Sequence, residues 1–132
     1  MRLTGASTHA VHALTHLAVA GADCRVASHV IARACGLPED YLLKVLRPLV
    51  SAQLLRSLKG PRGGYRLARP AARITLLEIV EAVGGPLRGE APVWGPDQGG
   101  LDARLQEVCD EVAGLVRRRL GRVRLSDLAG GQ

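Results

Sequence analysis

The pattern that decides the fold lies in residues 37–68, LPEDYLLKVLRPLVSAQLLRSLKGPRGGYRLA. The proline and two acids at 38–40 suit the first turn of a helix, because proline needs no amide partner there and acids match the helix dipole. Apolar residues then recur at helical spacing, which predicts a buried stripe of Leu42, Val45, Leu46 and Leu49. Two short alternating segments follow at 54–58 and 65–68. A glycine-rich tip at 59–64 separates these segments, so the stretch predicts a helix followed by a β-hairpin.

Two more helices are predicted upstream of this stretch. Helical spacing of apolar residues predicts a first helix over 8–20 and a second from about 26 to 34, with Ser28 available as a cap. Gly36 permits the turn into the third helix, which is expected to run to about residue 53. Three helices and a hairpin in this order are typical of a winged helix-turn-helix, whose third helix enters the major groove of DNA while the wing contacts the backbone or minor groove.

Downstream, the sequence predicts a short helix, a loop and a long helix. Thr75 suits the cap of a helix that ends near residue 83, and a loop rich in glycine and proline follows. From residue 101 the apolar side chains step by four, three, four and three positions, which is a heptad-like seam. A second subunit is the favoured partner of this seam, and packing on its own domain is the alternative. The predicted interface residues are Leu101, Leu105, Val108, Val112 and Leu115.

The predicted fold class is mainly α with a small β-hairpin wing, completed by a long C-terminal dimerisation helix. Residues 1–83 would form the winged helix-turn-helix domain, 84–100 a flexible effector-type loop, and 101–132 the dimerisation helix and tail. A chain of 132 residues with 47% hydrophobic residues fits one globular domain with an appended element and excludes a disordered chain. The sequence has no apolar run long enough for a membrane span and no signal-peptide pattern, and its three cysteines are widely spaced, so we expect a cytoplasmic protein.

Positive charge is concentrated in the first half of the chain. Residues 1–73 carry eleven Lys/Arg against three Asp/Glu, and residues 44–73 carry eight cations and no acid. Such a run suits a polyanion, because each neutralised phosphate releases counterions. The alternative is an ordinary solvated surface that carries an excess of positive charge without binding a polyanion. The position of the run on the predicted third helix and wing favours DNA.

Several motifs resemble those of the bacterial winged-helix regulators of the IscR, NsrR and CymR type, the Rrf family. The resemblance covers roughly residues 1–83 and the C-terminal ending. It implies a DNA-binding transcriptional regulator, with a repressor favoured, that acts as a homodimer on a palindromic operator. The chain has no phosphate loop and no nucleophile context, so an enzyme is not expected. The motifs are Leu37-Pro38, Tyr41-Leu42, Lys44, Lys59-Gly60-Pro61, Gly63-Gly64-Tyr65, Glu78-Ile79-Val80 and Leu125-Ser126-Asp127-Leu128.

The resemblance also implies which residues contact DNA. Tyr41 falls where the family places an aromatic on the DNA backbone, and Asp40 and Leu43 fall where it can read base edges. Lys59 stands where a wing arginine often enters the minor groove, and lysine lacks the planar fork of arginine. The full set of predicted DNA-binding residues is Ser28, Asp40, Tyr41, Leu43, Lys44, Arg47, Ser57, Lys59 and Arg62.

The loop departs from the family pattern. Many members hold an iron-sulfur cluster with three loop cysteines, whereas residues 86–100 contain none. Because thiolates are the usual cluster ligands, we expect no cofactor and no conventional iron-sulfur cluster. A weaker alternative is a metal shared by His9, His12 and His16, which lie on one helical stripe, together with Cys109.

A second function stays open from the sequence. The resemblance to the cysteine-metabolism branch implies a regulatory adaptor that binds a metabolic enzyme through its loop and dimer region. Trp94 in the loop would then be an anchor, and an ordinary packing role is the alternative. DNA binding by the purified protein alone would separate the two functions. The effector, whether protein or small molecule, stays open.

Overall fold

The computed structural model describes residues 1–93, 95–96 and 99–130, and within these ranges the chain forms six α-helices and one hairpin. A short 3₁₀ turn at Ala71–Arg73 precedes the fourth helix. The elements are α1 (Gly5–Ala20), α2 (Ser28–Cys35), α3 (Glu39–Ser51), β1 (Leu55–Leu58), β2 (Gly64–Leu67), α4 (Leu76–Gly84), α5 (Leu101–Leu120) and α6 (Leu125–Ala129).

The three N-terminal helices and the hairpin pack around one apolar core, as the pattern predicted. The buried stripe of α3 is the predicted one, Leu42, Val45, Leu46 and Leu49. The hairpin pairs antiparallel and places Leu55 opposite Leu67, and both side chains are buried. Its other face points to solvent, so the hairpin joins the core along one side only.

Three helix boundaries differ from the predicted ones, two for local reasons and one because of a long-range contact. Helix α1 begins at Gly5, before residue 8, because the Thr4 hydroxyl caps it by accepting a hydrogen bond from the Ser7 amide at 3.0 Å. Helix α3 ends at Ser51, before residue 53, and Gln53 then takes a left-handed conformation that turns the chain into β1.

The third difference concerns Ser28, whose predicted capping role is wrong. Ala27 occupies the cap position of α2 and makes no side-chain hydrogen bond. Helix α2 cannot begin at residue 26, because the amide and carbonyl of Val26 both bond to Tyr65 of the hairpin, at 2.9 and 2.8 Å. Ser28 is therefore the first helical residue.

The predicted cap of α4 is confirmed. Thr75 accepts from the Glu78 amide while the Glu78 carboxylate accepts from the Thr75 amide, which is a capping box. Burial acts to raise the pKa of Glu78, but hydrogen bonds from Arg69 and Thr75 outweigh it and lower this pKa overall. The capping carboxylate therefore stays charged at neutral pH.

The C-terminal segment returns to the core, which the sequence did not indicate. Leu125 of α6 is fully buried, its amide donates to the Ile74 carbonyl at 2.8 Å, and α6 packs against α1. The Leu76 amide likewise donates to the Val123 carbonyl at 2.8 Å. The segment after α5 therefore packs into the core that the segments before α5 form.

Helix α5 contrasts with the other long helices, because none of its residues is buried. Its helix contacts are mainly with α4. Among the described residues, no helix is both long and apolar enough to cross a membrane.

Leu125→Ala tests whether the tail belongs to the core. We expect this change to lower the free energy of unfolding by about 2 to 5 kcal/mol, the usual cost of a core leucine truncation. The matched control is Leu128→Ala on the same helix, where the side chain is exposed and the expected loss is below about 1 kcal/mol. Urea denaturation measures both, and equal losses would contradict this packing.

Candidate nucleic-acid interface

The outward face of α3 carries the residues predicted to meet the major groove. Because the apolar stripe of α3 faces the core, Asp40, Lys44 and Arg47 are exposed, and Leu43 is half-buried beside them. The four side chains share one side of one helix, as base reading and phosphate contact by an inserted helix require.

Tyr41 is held from the first helix. The hydroxyl of Tyr41 and Nδ1 of His9 lie 2.8 Å apart, and the two rings meet edge to face with centroids 5.3 Å apart. His9 thus limits where the half-buried tyrosine can point. The sequence placed His9 in a histidine stripe and did not connect it with Tyr41, because the two residues are 32 positions apart.

Ser28 connects the two helices of the helix-turn-helix. Its hydroxyl donates to Oε1 of Glu39 at 3.2 Å. This bond spans the turn and joins the first residue of α2 to the first residue of α3. A serine so engaged can still approach a phosphate through its backbone amide.

The wing presents its predicted cations at its tip. Lys59 and Arg62 are exposed in the loop between β1 and β2, and Ser57 is exposed on β1. Gly64 fixes the root of the wing, because its φ of 146° and the 2.6 Å separation between an added Cβ and the Val26 carbonyl oxygen both exclude a side chain. The glycine therefore allows the hairpin to bond directly to the segment before α2.

A second cationic pair on the wing was missed by the sequence analysis. Arg56 and Arg66 are directly opposite each other across the hairpin, on the face away from the core. Like charges in this position repel, and neither arginine has an acidic partner in the described part of the chain. The signal that could have found them is their position next to Leu55 and Leu67, because neighbouring residues of a strand point to opposite faces. An anion such as phosphate would relieve the repulsion.

The structure does not bring the alternative metal ligands together. His9 bonds to Tyr41, His12 is exposed, His16 is half-buried and Cys109 lies on α5. No group of three or more His, Cys, Asp or Glu within the described ranges could hold a metal ion. Burial raises the pKa of the Cys35 thiol, which disfavours its thiolate. Trp94 lies outside the described residues.

A helix-turn-helix with an exposed cationic third helix and a cationic wing defines a winged-helix DNA-binding protein. Comparison with known families agrees: residues 3–131 match the Rrf2 family, described as "Iron-dependent Transcriptional regulator". The chain belongs to this family, and it is a transcriptional regulator with a DNA-binding fold. The predicted resemblance is confirmed. Its relatives are regulators, which agrees with the expectation that the chain is not an enzyme.

Individual relatives support the same family. A Mycobacterium tuberculosis protein named as an HTH-type transcriptional regulator, Rv1287, is 32% identical over 99% of this chain and 83% of its own length. The structure of CymR, the global cysteine regulator of B. subtilis, superposes with a TM-score of 0.81 over 100% of this chain and 98% of that chain, at 23% identity. T. potens IscR gives a TM-score of 0.76 over 98% and 87%, at 24% identity. These two structures confirm the winged-helix fold.

The family description mentions iron, whereas the structure does not bring the cysteines of the described residues together. The three cysteines lie after α1, at the end of α2 and within α5. They do not form a group with each other or with the histidines. No step of DNA recognition is therefore assigned to an iron-sulfur cluster.

His9→Ala tests the support of Tyr41. We expect about fivefold weaker binding to a selected DNA duplex, because one hydrogen bond of about 1 kcal/mol no longer orients the tyrosine. His12→Ala is the matched control on the same helix and should change the affinity less than twofold. In the Tyr41→Phe background His9→Ala should have a much smaller effect, because only the ring contact is left to lose. Additive losses, measured by fluorescence anisotropy, would mean that His9 acts independently of Tyr41.

Proposed function

We propose that this chain is a cytoplasmic homodimeric regulator that binds a palindromic DNA operator through α3 and the wing. The observation that carries the proposal is the co-location of exposed cations on these two elements. Residues 44–73 contain eight cations and no acid, and Lys44, Arg47, Lys59 and Arg62 are all exposed. Cations grouped in this way can neutralise neighbouring phosphates and release their counterions.

The homodimer is supported by the exposed seam of α5. Leu101, Leu105, Val108, Val112 and Leu115 retain 45 to 59% exposure in the single chain. Packing on its own domain, the alternative from the sequence, leaves these residues uncovered. A contiguous apolar stripe of this kind on a 20-residue helix favours a partner helix.

Charge along α5 favours a second copy in antiparallel orientation. Acidic Asp102, Glu107, Asp110 and Glu111 all lie within its first eleven residues, and the last turn carries three arginines in succession, 117–119. An antiparallel copy would place the acidic half of one helix against the basic half of the other. Each pair would add little singly, but the arrangement selects orientation.

Two-fold symmetry then sets the geometry on DNA. Two α3 helices related by a dyad would enter successive major grooves about one helical turn apart, which requires a palindromic operator. We propose repression as the mode of action, because occupying the operator is sufficient for it and needs no further contact. We also propose that no iron-sulfur cluster is involved, since the loop has no cysteine. The adaptor function stays a prediction.

Substitutions at the wing and at α3 test the proposed docking. Arg62→Ala should lower the affinity for specific and non-specific duplexes alike. It should also reduce the slope of log affinity against log salt concentration by roughly one unit for each phosphate that a subunit no longer neutralises. Lys59→Ala should do the same, with relaxed discrimination under the wing if Lys59 enters the minor groove. Arg122→Ala, at an exposed cation in the turn after α5, is the control and should leave the salt dependence unchanged.

Asp40→Ala should instead change which DNA sequence is preferred. The binding free energy should change by about 1 to 3 kcal/mol for each misread base pair, with little effect on the affinity for non-specific DNA. Operator selection followed by salt titration measures both properties. No binding to any duplex at low salt would refute the proposed function. Binding that appears only with a partner protein would favour the adaptor.

Val112→Asp tests the seam. Two buried like charges near the dyad would be desolvated and mutually repelled, so we expect monomers or aggregates and loss of operator binding. Ala103→Asp adds the same charge to an exposed position of α5 away from the stripe and should preserve the dimer. Analytical ultracentrifugation distinguishes these outcomes. A Val112→Asp protein with the wild-type mass and affinity would contradict the proposed interface.

A further inference from the structure

A cavity of about 600 Å³ lies where the N-terminal segment, the end of α4, the following loop and α5 meet. Its size is that of sites that hold drug-sized molecules. Apolar side chains form most of the wall, among them Leu3, Val80, Leu87 and Val116. Val108 and Val112 of the α5 seam also line it, so the cavity borders the proposed dimer interface. The cavity is separate from the face of α3 and the wing.

The loop that closes the cavity is tied to its two flanking helices. Glu81 of α4 accepts from the Leu87 amide at 2.8 Å and also pairs with Arg117 of α5. Gln106 of α5 donates to the Gly89 carbonyl at 2.6 Å and accepts from the Ala91 amide at 3.2 Å. These bonds hold the loop across the helices.

Gly89 permits this closure. A Cβ added at Gly89 would lie 2.3 Å from the Cys109 carbonyl carbon on α5, so only glycine allows the loop to approach so closely. The cavity is therefore a product of specific side-chain and backbone contacts between the loop and α5. A loose loop would not maintain such a volume.

The charged lining residues are Arg2, Arg88 and Glu90, all exposed at the rim. Neither guanidinium has a hydrogen-bonded or ionic partner in the described part of the chain. An excess of unpaired arginine over acid favours an anion, and the guanidinium fork matches a carboxylate. The apolar wall requires the rest of the molecule to be hydrocarbon.

We propose that this cavity binds a small apolar carboxylic acid, with its hydrocarbon between the loop and α5 and its carboxylate at Arg2 and Arg88. Thr4 and Ser7, at the start of α1, line the same cavity, and α1 carries the His9 that holds Tyr41. The ligand thereby contacts both α5 and the helix behind the DNA-binding face. Its effect on operator affinity rests on the proposed function, whereas its binding does not.

Isothermal titration calorimetry of the full chain without DNA tests the binding. The probes are octanoate, decanoate and 2-naphthoate, each compared with its neutral amide. We expect at least one acid to bind at least tenfold more tightly than its amide. Arg88→Gln should remove this preference, and Arg122→Gln, at an exposed cation outside the cavity, should retain it. Glu90→Gln should tighten binding of the acid, because it removes the rim carboxylate.

Cavity filling provides the second variant. Ala113→Leu enlarges a half-buried wall residue away from the exposed seam and should weaken the best acid at least tenfold, whereas Ala103→Leu on the exposed side of α5 should not. Circular dichroism and sedimentation would verify that both variants keep their fold and mass. The proposal is overturned if no acid binds, if acids and amides bind equally, or if Ala113→Leu binds like Ala103→Leu.

Two further outcomes separate the cavity from the dimer and from DNA binding. If the partner subunit fills the cavity, the wild-type dimer will bind no probe and Ala113→Leu will change the dimer affinity, which also overturns the proposal. If the acid binds as expected but the protein binds no duplex, the proposed function fails and the cavity assignment stands. A protein that binds DNA should change its operator affinity in the presence of the acid.

Discussion

Helix α1 is the element on which the rest of the structure depends. Its apolar face, Ala10, Ala13, Leu14 and Leu17, is at most 1% exposed and packs against the other helices of the domain. The two alanines allow neighbouring backbones to approach closely, and the two leucines fill the centre of the core. Any shift of α1 is therefore transmitted by contact to the elements around it, because a core packed at crystal density deforms little.

Three functional features meet on this helix. Its outward side carries His9, which orients Tyr41 at the DNA-binding face. Its first turn forms part of the cavity wall, and its packing against α6 anchors the C-terminal tail. Helix α1 thus packs against the recognition helix α3, and its first turn lines the same cavity as α5. A regulator needs this kind of connection if events at one side are to alter affinity at the other.

Helix α5 contrasts with α1, because its apolar stripe is left exposed to solvent in the single chain. Within one subunit it is held at its N-terminal half by Gln106 and nearer its end by Arg117, both of them polar contacts with the loop and α4. Its stripe of leucine and valine stays outside these contacts. Because exposed apolar surface of this length is unfavourable in water, the helix is suited to pairing, and its charge distribution limits the orientation.

The sequence alone determined the order of elements up to α5, the buried stripe of α3, the cap at Thr75 and the apolar pattern of α5, because these depend on residues a few positions apart in a regular periodicity. Only the tertiary structure decided four contacts. Val26 pairs with Tyr65 and so delays the start of α2, and His9 contacts Tyr41. Arg56 lies opposite Arg66, and Leu125 is buried in the core. Each of these contacts joins segments that are distant or out of phase along the chain. Local periodicity carries no information about such contacts, since they arise only when the helices pack.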